Sequence, residues 1–257
     1  MCVSNLKDML QAYGDGTLFG EQYGEGPVRV VFLHGWDRSG KDFAACATEL
    51  AGSGVASVAL DLPGFGASPL PLIPGGARLY AELLVPALEK LSDGPLVLVG
   101  HSFGGRIATV LAAYHPALVR GLVLTGAPLV RRTTTVRSPW RYRMIRSLYV
   151  RGMVREKRME RARQRYGSTD YRNAQGLLRS ILVATVNESY EKELARVQVP
   201  VSLVWGDEDT DVPVEIAARA AAILNGAHSF RSVAYVGHFL PVQAPHELVV
   251  SILELLA

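Results

Sequence analysis

The stretch Leu96-Val97-Leu98-Val99-Gly100-His101-Ser102-Phe103-Gly104 decides how this chain is read. Residues 96–99 form a short apolar run, the pattern of a strand buried on both faces. An alanine-rich helical pattern follows over 103–114. Between them stands Gly-x-Ser-x-Gly. Such a five-residue pattern recurs by chance, but its setting here is strand, tight turn, helix. A serine on that turn exposes its hydroxyl, and small residues on either side let the two backbones pass. The N-terminus of the following helix favours negative charge beside the hydroxyl. The bland alternative is a tight turn whose glycines serve packing alone.

Working outward, short buried-strand patterns lie at 28–33, 55–60 and 122–125, with helical patterns at 41–51 and 78–91. Strand and helix in repeated alternation predict a parallel sheet with helices on both faces. The alternation resumes with strands at 200–205 and 232–236 and helices at 214–224 and 245–256. Residues 17–23 suit an antiparallel edge strand. From about 128 to 196 the alternation stops. Trp140, Met144 and Leu148 recur at i+4, as do Ile145 and Tyr149, which predicts an amphipathic helix. A second helix is expected over 154–166, ended by Gly167, and a third capped by Asp170 and running through Leu182. The expected organisation is a core of residues 1–127 and 197–257, with residues 128–196 as a helical, arginine-rich insertion.

The chain has 257 residues, 49% of them hydrophobic and 20% charged, enough apolar material for one α/β domain with an insertion. Residues 1–15 show no basic segment followed by a long apolar run, so neither a secretion signal nor a membrane span is expected, and the cytoplasm is the default. The only cysteines, Cys2 and Cys46, have no metal-type spacing, and Cys46 reads as a small core residue. Residues 131–172 hold fourteen Lys and Arg against three acids; the rest of the chain holds thirteen against twenty-one. One segment is therefore chemically unlike its surroundings.

A serine hydroxyl needs a base to take its proton. Of six histidines, His238 follows the last predicted strand, and in a parallel sheet a loop there faces the same edge as Ser102. A third group must orient the imidazole. The loop Gly206-Asp207-Glu208-Asp209-Thr210-Asp211-Val212-Pro213 offers four acids, and serine, acid, histidine is the chain order of this architecture.

With these residues in view the chain resembles the α/β-hydrolase fold family along nearly its whole length. The likeness rests on His34-Gly35 after one strand, Asp61-Leu62-Pro63-Gly64-Phe65-Gly66 after the next, the turn at Ser102, Gly-x-x-Asp ahead of Val-Pro, and the terminal Gly237-His238. The resemblance implies that Asp209, three residues after Gly206 and four before Pro213, is the triad acid, with Asp211 as fallback. It implies an oxyanion hole made by the backbone amides of Phe103 and Trp36. Ser102 argues against the members that carry Asp at this turn and open epoxides or displace halide. Gln243 stands where many relatives carry Glu, which bears on helix packing rather than chemistry.

The resemblance also makes the insertion a cap over the site, with His34, Trp140, Met144, Tyr149 and Phe239 as candidate pocket residues and Tyr142 beside them. The cap arginines have three readings: a solvated surface, attraction of an anionic substrate, or contact with an acidic membrane or partner surface. Charge alone, without a basic-plus-aromatic motif, does not point to nucleic acid. The expectation is hydrolysis of a small-molecule carboxylic ester through Ser102, His238 and Asp209, with no metal or organic cofactor. The same triad serves carbon–carbon, amide and thioester cleavage, and a receptor that lost the chemistry is the competitor from another class.

Overall fold

A computed structural model describes residues 10–131, 139–166 and 169–257. Eight strands form one sheet in the order β1-β2-β4-β3-β5-β6-β7-β8. They are β1 (Leu10–Tyr13), β2 (Leu18–Tyr23), β3 (Val28–Leu33), β4 (Ala56–Asp61), β5 (Leu96–His101), β6 (Val119–Thr125), β7 (Val201–Gly206) and β8 (His228–Val233). β3 to β8 run parallel, whereas β1 pairs with β2 and β2 with β4 antiparallel.

The strand residues alternate between two buried layers. Val31, Leu33, Leu96 and Leu98 face α2 (Ala77–Leu91), α3 (Phe103–Tyr114) and α9 (Val214–Ala221). Val30, Phe32, Val97 and Val99 face α1 (Ala44–Gly52) and α11 (Pro245–Leu256). Period-two alternation with both faces covered explains why these strands read as continuous apolar runs. Each fully buried Leu, Val or Phe contributes about 1.5–3 kcal/mol, so the central strands are a rigid base for the loops at their C-terminal ends. Cys46 is fully buried within the second layer, and burial raises its thiol pKa to about 12.

Between β6 and β7 lie α4 (Trp140–Val150), α5 (Glu156–Tyr166), α6 (Thr169–Asn173), α7 (Gly176–Asn187) and α8 (Glu191–Leu194); α10 (Leu240–Gln243) precedes α11. The segment is tied to the core by Glu193, buried at 1% exposure, which accepts from Arg78 at 2.6 Å and from the Tyr114 hydroxyl at 3.2 Å. The fully buried Tyr190 donates its amide to Leu129 O. No helix among the described residues is long and apolar enough to cross a membrane.

Three expectations need correction. β2 is not the sheet edge, because β1, a four-residue, largely exposed strand, lies outside it. The last strand is β8 at 228–233, not 232–236; as an outer strand it carries His-Ser-Phe-Arg-Ser-Val, largely exposed, and gives no buried-strand pattern. The helix expected from Asp170 is two helices. Asp170 sits in the first turn of α6, and Gly176 at φ +51° starts α7. Gly167, expected to end α5, lies outside the described residues.

Candidate active site

Ser102 sits between β5 and α3 with φ +49° and ψ −107°, a conformation that non-glycine residues rarely adopt. Its amide donates to Thr125 O at 2.9 Å, and the Gly104 amide donates to His34 O at 3.0 Å, so neighbouring strand ends hold the turn. A Cβ on Gly104 would fall on the Leu33 carbonyl, and one on Gly100 would meet Gly105 Cα at 2.5 Å. The motif needs its two glycines because backbone passes backbone at both places.

Two amides lie close to Ser102: Phe103 follows it directly, and Trp36 follows Gly35, where a Cβ would meet Ser102 Cβ at 3.4 Å. Those of Trp36 and Phe103 donate to no group among the described residues, while the next amide, of Gly104, is engaged. Phe103 begins α3, so its N–H lies at the positive end of a twelve-residue helix. The Trp36 and Phe103 rings pack edge to face at 5.6 Å, which keeps the two loops together. A pair of fixed amides beside a serine hydroxyl is what a developing oxyanion requires.

His238 lies in the loop after β8, and its Nδ1 is 2.8 Å from Asp209 Oδ2. The other carboxylate oxygen of Asp209 accepts the Val212 amide at 2.7 Å. Asp209 is only 4% exposed, so this carboxylate is held by two partners without solvent. Asp211, two residues on, is exposed and makes no bond to His238. The acceptor at Nδ1 fixes the proton there and leaves Nε2 as the basic nitrogen. Among the described residues no hydrogen bond yet joins Nε2 to the Ser102 hydroxyl; such bonds often tighten only once substrate is bound.

Two further histidines brace this arrangement. His101 is buried beside the His238 ring, centroids 4.8 Å apart, and its Nε2 donates to His238 O at 2.9 Å. Burial, reinforced by the neighbouring His238, lowers its pKa to about 3, so it is a neutral donor at any ordinary pH. His34 is fully buried; its Nδ1–H donates to Gly35 O at 2.7 Å and its Nε2 accepts the Leu62 amide at 2.9 Å. Burial also lowers its pKa.

A cavity of about 760 Å³ opens over the turn, lined by Ser102, His238, Trp36, Phe103 and Phe239, among others. Five sequence-derived candidates are thus brought together, with Asp209 directly behind His238. Four are not. His34 lies behind the wall, shaping the loop that carries Trp36. Trp140 and Met144, 65% and 48% exposed, stand on the outer side of α4, and Tyr149 lines a separate hollow of about 490 Å³ with Tyr142 and Arg163. α7, through Leu182, Thr185 and Val186, supplies the insertion's share of the wall instead, together with Asp170 of α6. Sequence reading also missed Arg38 and Arg106 on the wall. Arg38 is pinned by Asp42 at 2.7 and 2.6 Å and lies 4.9 Å over the Phe239 ring. A cation four residues past the motif serine was the available signal for Arg106.

Residues 28–245 match the sequence model of a family described as alpha/beta hydrolase fold. The pimeloyl-[acyl-carrier protein] methyl ester esterase of Chromobacterium violaceum is 33% identical over 216 residues, 77% of this chain and 82% of that protein. The biotin biosynthesis bifunctional protein BioHC of Teredinibacter turnerae is 28% identical over 250 residues, 85% of this chain but only 43% of that one. Esterase Rv0045c of Mycobacterium tuberculosis is 37% identical over 110 residues, 42% of this chain and 36% of its own. The chain thus spans less than half of two of these three relatives. Among solved structures, a putative lipase from Acinetobacter baumannii superposes with a TM-score of 0.72 at 17% identity, covering 96% of this chain and 90% of its own. A hydrolase from Pseudomonas aeruginosa superposes at 0.71 and 20% identity over the full length of both. At such identities the superpositions establish the fold alone.

Proposed function

The chain belongs to the alpha/beta hydrolase fold family, and on that premise we propose that it is a serine carboxylesterase. The observation that carries the proposal is the 2.8 Å bond from His238 to the buried Asp209, set in one cavity wall with a strained Ser102 and two undonated amides. In this reading Ser102 Oγ attacks the ester carbonyl while His238 Nε2 takes its proton. The oxyanion forms in reach of the Trp36 and Phe103 amides. His238 returns the proton to the leaving alcohol, and water activated by the same nitrogen releases the acid from the acyl-enzyme. Asp209 holds the imidazole and offsets its charge when protonated. The ester class is supported by the relatives named as esterases. The exposed arginines of α4 and α5 suit an anionic surface, and in the relative named for an acyl-carrier protein the substrate is itself held on a protein. Residues 128–196 act as a cap in this reading.

Intact-mass detection of a fluorophosphonate adduct tests the chemistry without a guess at substrate. One adduct on wild type, none on Ser102→Ala and little on His238→Ala is expected, together with turnover of short-chain 4-nitrophenyl esters. A folded wild type that takes no adduct and turns over no ester refutes the proposal; turnover of a vinylogous diketone with none of any ester would move it to carbon–carbon hydrolysis.

A further inference from the structure

Arg106 lies one helical turn beyond Ser102 on α3, its amide donating to Ser102 O at 3.4 Å. Four residues advance a helix by about 6 Å and return to the same face. Side chains on a helix lean toward its N-terminus, which here is the end that holds the nucleophile. Arg106 accordingly lines the same cavity as Ser102.

Its charge is poorly compensated. Nη1 donates to Thr185 O of α7 at 3.0 Å, and Nε is buried with no partner among the described residues. The Tyr190 ring lies 5.8 Å from the guanidinium carbon, and the Tyr190 hydroxyl donates to Glu188 at 2.6 Å. Glu188 is an acid whose charge acts on Arg106, yet it is already engaged by the Ala77 amide at 2.9 Å and by Arg78 at 3.8 Å. No carboxylate oxygen comes within the 4.0 Å of an ion pair among the described residues. Desolvation lowers the pKa of Arg106, a sign that the folded protein bears the cost of its charge. Tyr190 also engages the guanidinium through its side chain, as a neutral partner that does not offset the charge. The other wall arginine, Arg38, is satisfied by Asp42 and offers no such vacancy.

We propose that Arg106 is an anion subsite, and that the ester this cavity takes carries a carboxylate on its acyl portion, away from the scissile carbonyl. The acyl side follows from the arrangement of the walls. The leaving alcohol must sit by His238, which packs on His101 and Phe239, whereas Arg106 faces α7. The remaining charges on the wall sharpen the preference. Asp170 and Asp211 also line the cavity; burial first, then Asp37 and Asp211, raises the Asp170 carboxyl pKa. Of the wall arginines Arg38 and Arg106, only Arg106 is without a carboxylate partner among the described residues, so a substrate carboxylate is accepted there.

The inference rests on the esterase reading, and two measurements separate them. In the first, kcat/KM is compared for the 4-nitrophenyl ester of glutaric acid, with its free carboxylate, and for its neutral methyl ester. Wild type is expected to favour the anion by 10- to 100-fold, the range of about 1.5–3 kcal/mol for a hydrogen bond to a charged group. Arg106→Gln and Arg106→Met bring the kcat/KM ratio of the two esters to near one, and Arg106→Lys retains part of the preference. Equal loss on both esters would make Arg106 a strut between α3 and α7 and overturn the proposal, as would a wild type without preference. In the second, glutarate and glutaramide are titrated into Ser102→Ala by calorimetry, which needs no turnover and no change at Arg106. Binding of glutarate but not glutaramide supports the subsite even if ester hydrolysis fails; binding of neither, or of both alike, refutes it.

Discussion

Replacing Asp209 by Asn keeps shape and volume and removes only the charge and one acceptor. The structure decides which way the amide must turn. Asp209 uses both oxygens, one toward His238 Nδ1 at 2.8 Å and one toward the Val212 amide at 2.7 Å. In Asn one position becomes NH2, a donor. If the NH2 faces Val212, two N–H groups oppose one another in a site with no solvent, at a cost of about 1–3 kcal/mol. The carbonyl therefore stays on Val212 and the NH2 turns to His238. Nδ1 must then accept, the proton moves to Nε2, and the imidazole can no longer take a proton from Ser102. Loss of the base in this way costs roughly 10³- to 10⁴-fold in kcat/KM, about 4–5.5 kcal/mol of transition-state stabilisation. The assay is ester turnover with fluorophosphonate labelling rate beside it, and a thermal melt to show that the fold is kept. Asp211→Asn, on an exposed residue without a bond to His238, changes either rate less than threefold. A loss under tenfold for Asp209→Asn, or the larger loss for Asp211→Asn, would refute the assignment of the acid.

Three other outcomes follow from the same geometry. Ser102→Gly relieves the positive φ and raises unfolding stability by about 1 kcal/mol, whereas Ser102→Ala keeps the strain and does not; equal stability of the two in denaturant titration would mean the turn is not strained. Gly104→Ala drives a methyl into the Leu33 carbonyl and lowers stability by about 3 kcal/mol, seen as a lower denaturation midpoint or loss of soluble protein. His101 has a folded-state pKa of about 3, below the usual 6.5, so between those values the unfolded chain binds the proton and the folded one does not. Its contribution is complete above pH 6.5 and is lost as pH falls toward 3, at about 1.4 kcal/mol per pH unit. His101→Gln should therefore flatten the acid limb of stability against pH between 4 and 6, and an unchanged slope would count against a neutral buried His101.

The residues bound to the core were legible because backbone constraints fix them. Gly100 and Gly104 are demanded by close approach, Ser102 by the turn between them, and His238 by a loop at the sheet edge where Ser102 also sits. The residues alone left four acids open in the loop after Gly206; the resemblance to the α/β-hydrolase family singled out Asp209, and the bond to His238 lies on that residue. Val28–Leu33 and Phe103–Tyr114 were read to the residue, because burial on both faces and an uninterrupted helical pattern leave little freedom. β8 was displaced because an outer strand need not be apolar, and its His-Ser-Phe-Arg-Ser-Val carries no alternation that differs from a loop.

The insertion resisted for a different reason. Periodicity shows that α4 has an apolar stripe, but not which body the stripe faces. Trp140, Met144 and Tyr149 share a helical pattern with Arg between them, and that pattern is equally served by packing on α5 as by facing substrate. In the structure α4 buries none of its residues and leaves the cavity to α7, of which the sequence offered Leu182 only as an apolar position of the expected third helix. Arg106 was hidden by the opposite effect. It sits in an alanine-rich helix whose flanking pattern is entirely core, where a lone cation reads as an exposed side chain. Only the fold shows that α7 covers that position, so that one turn beyond Ser102 the chain holds a guanidinium that no carboxylate of its own neutralises.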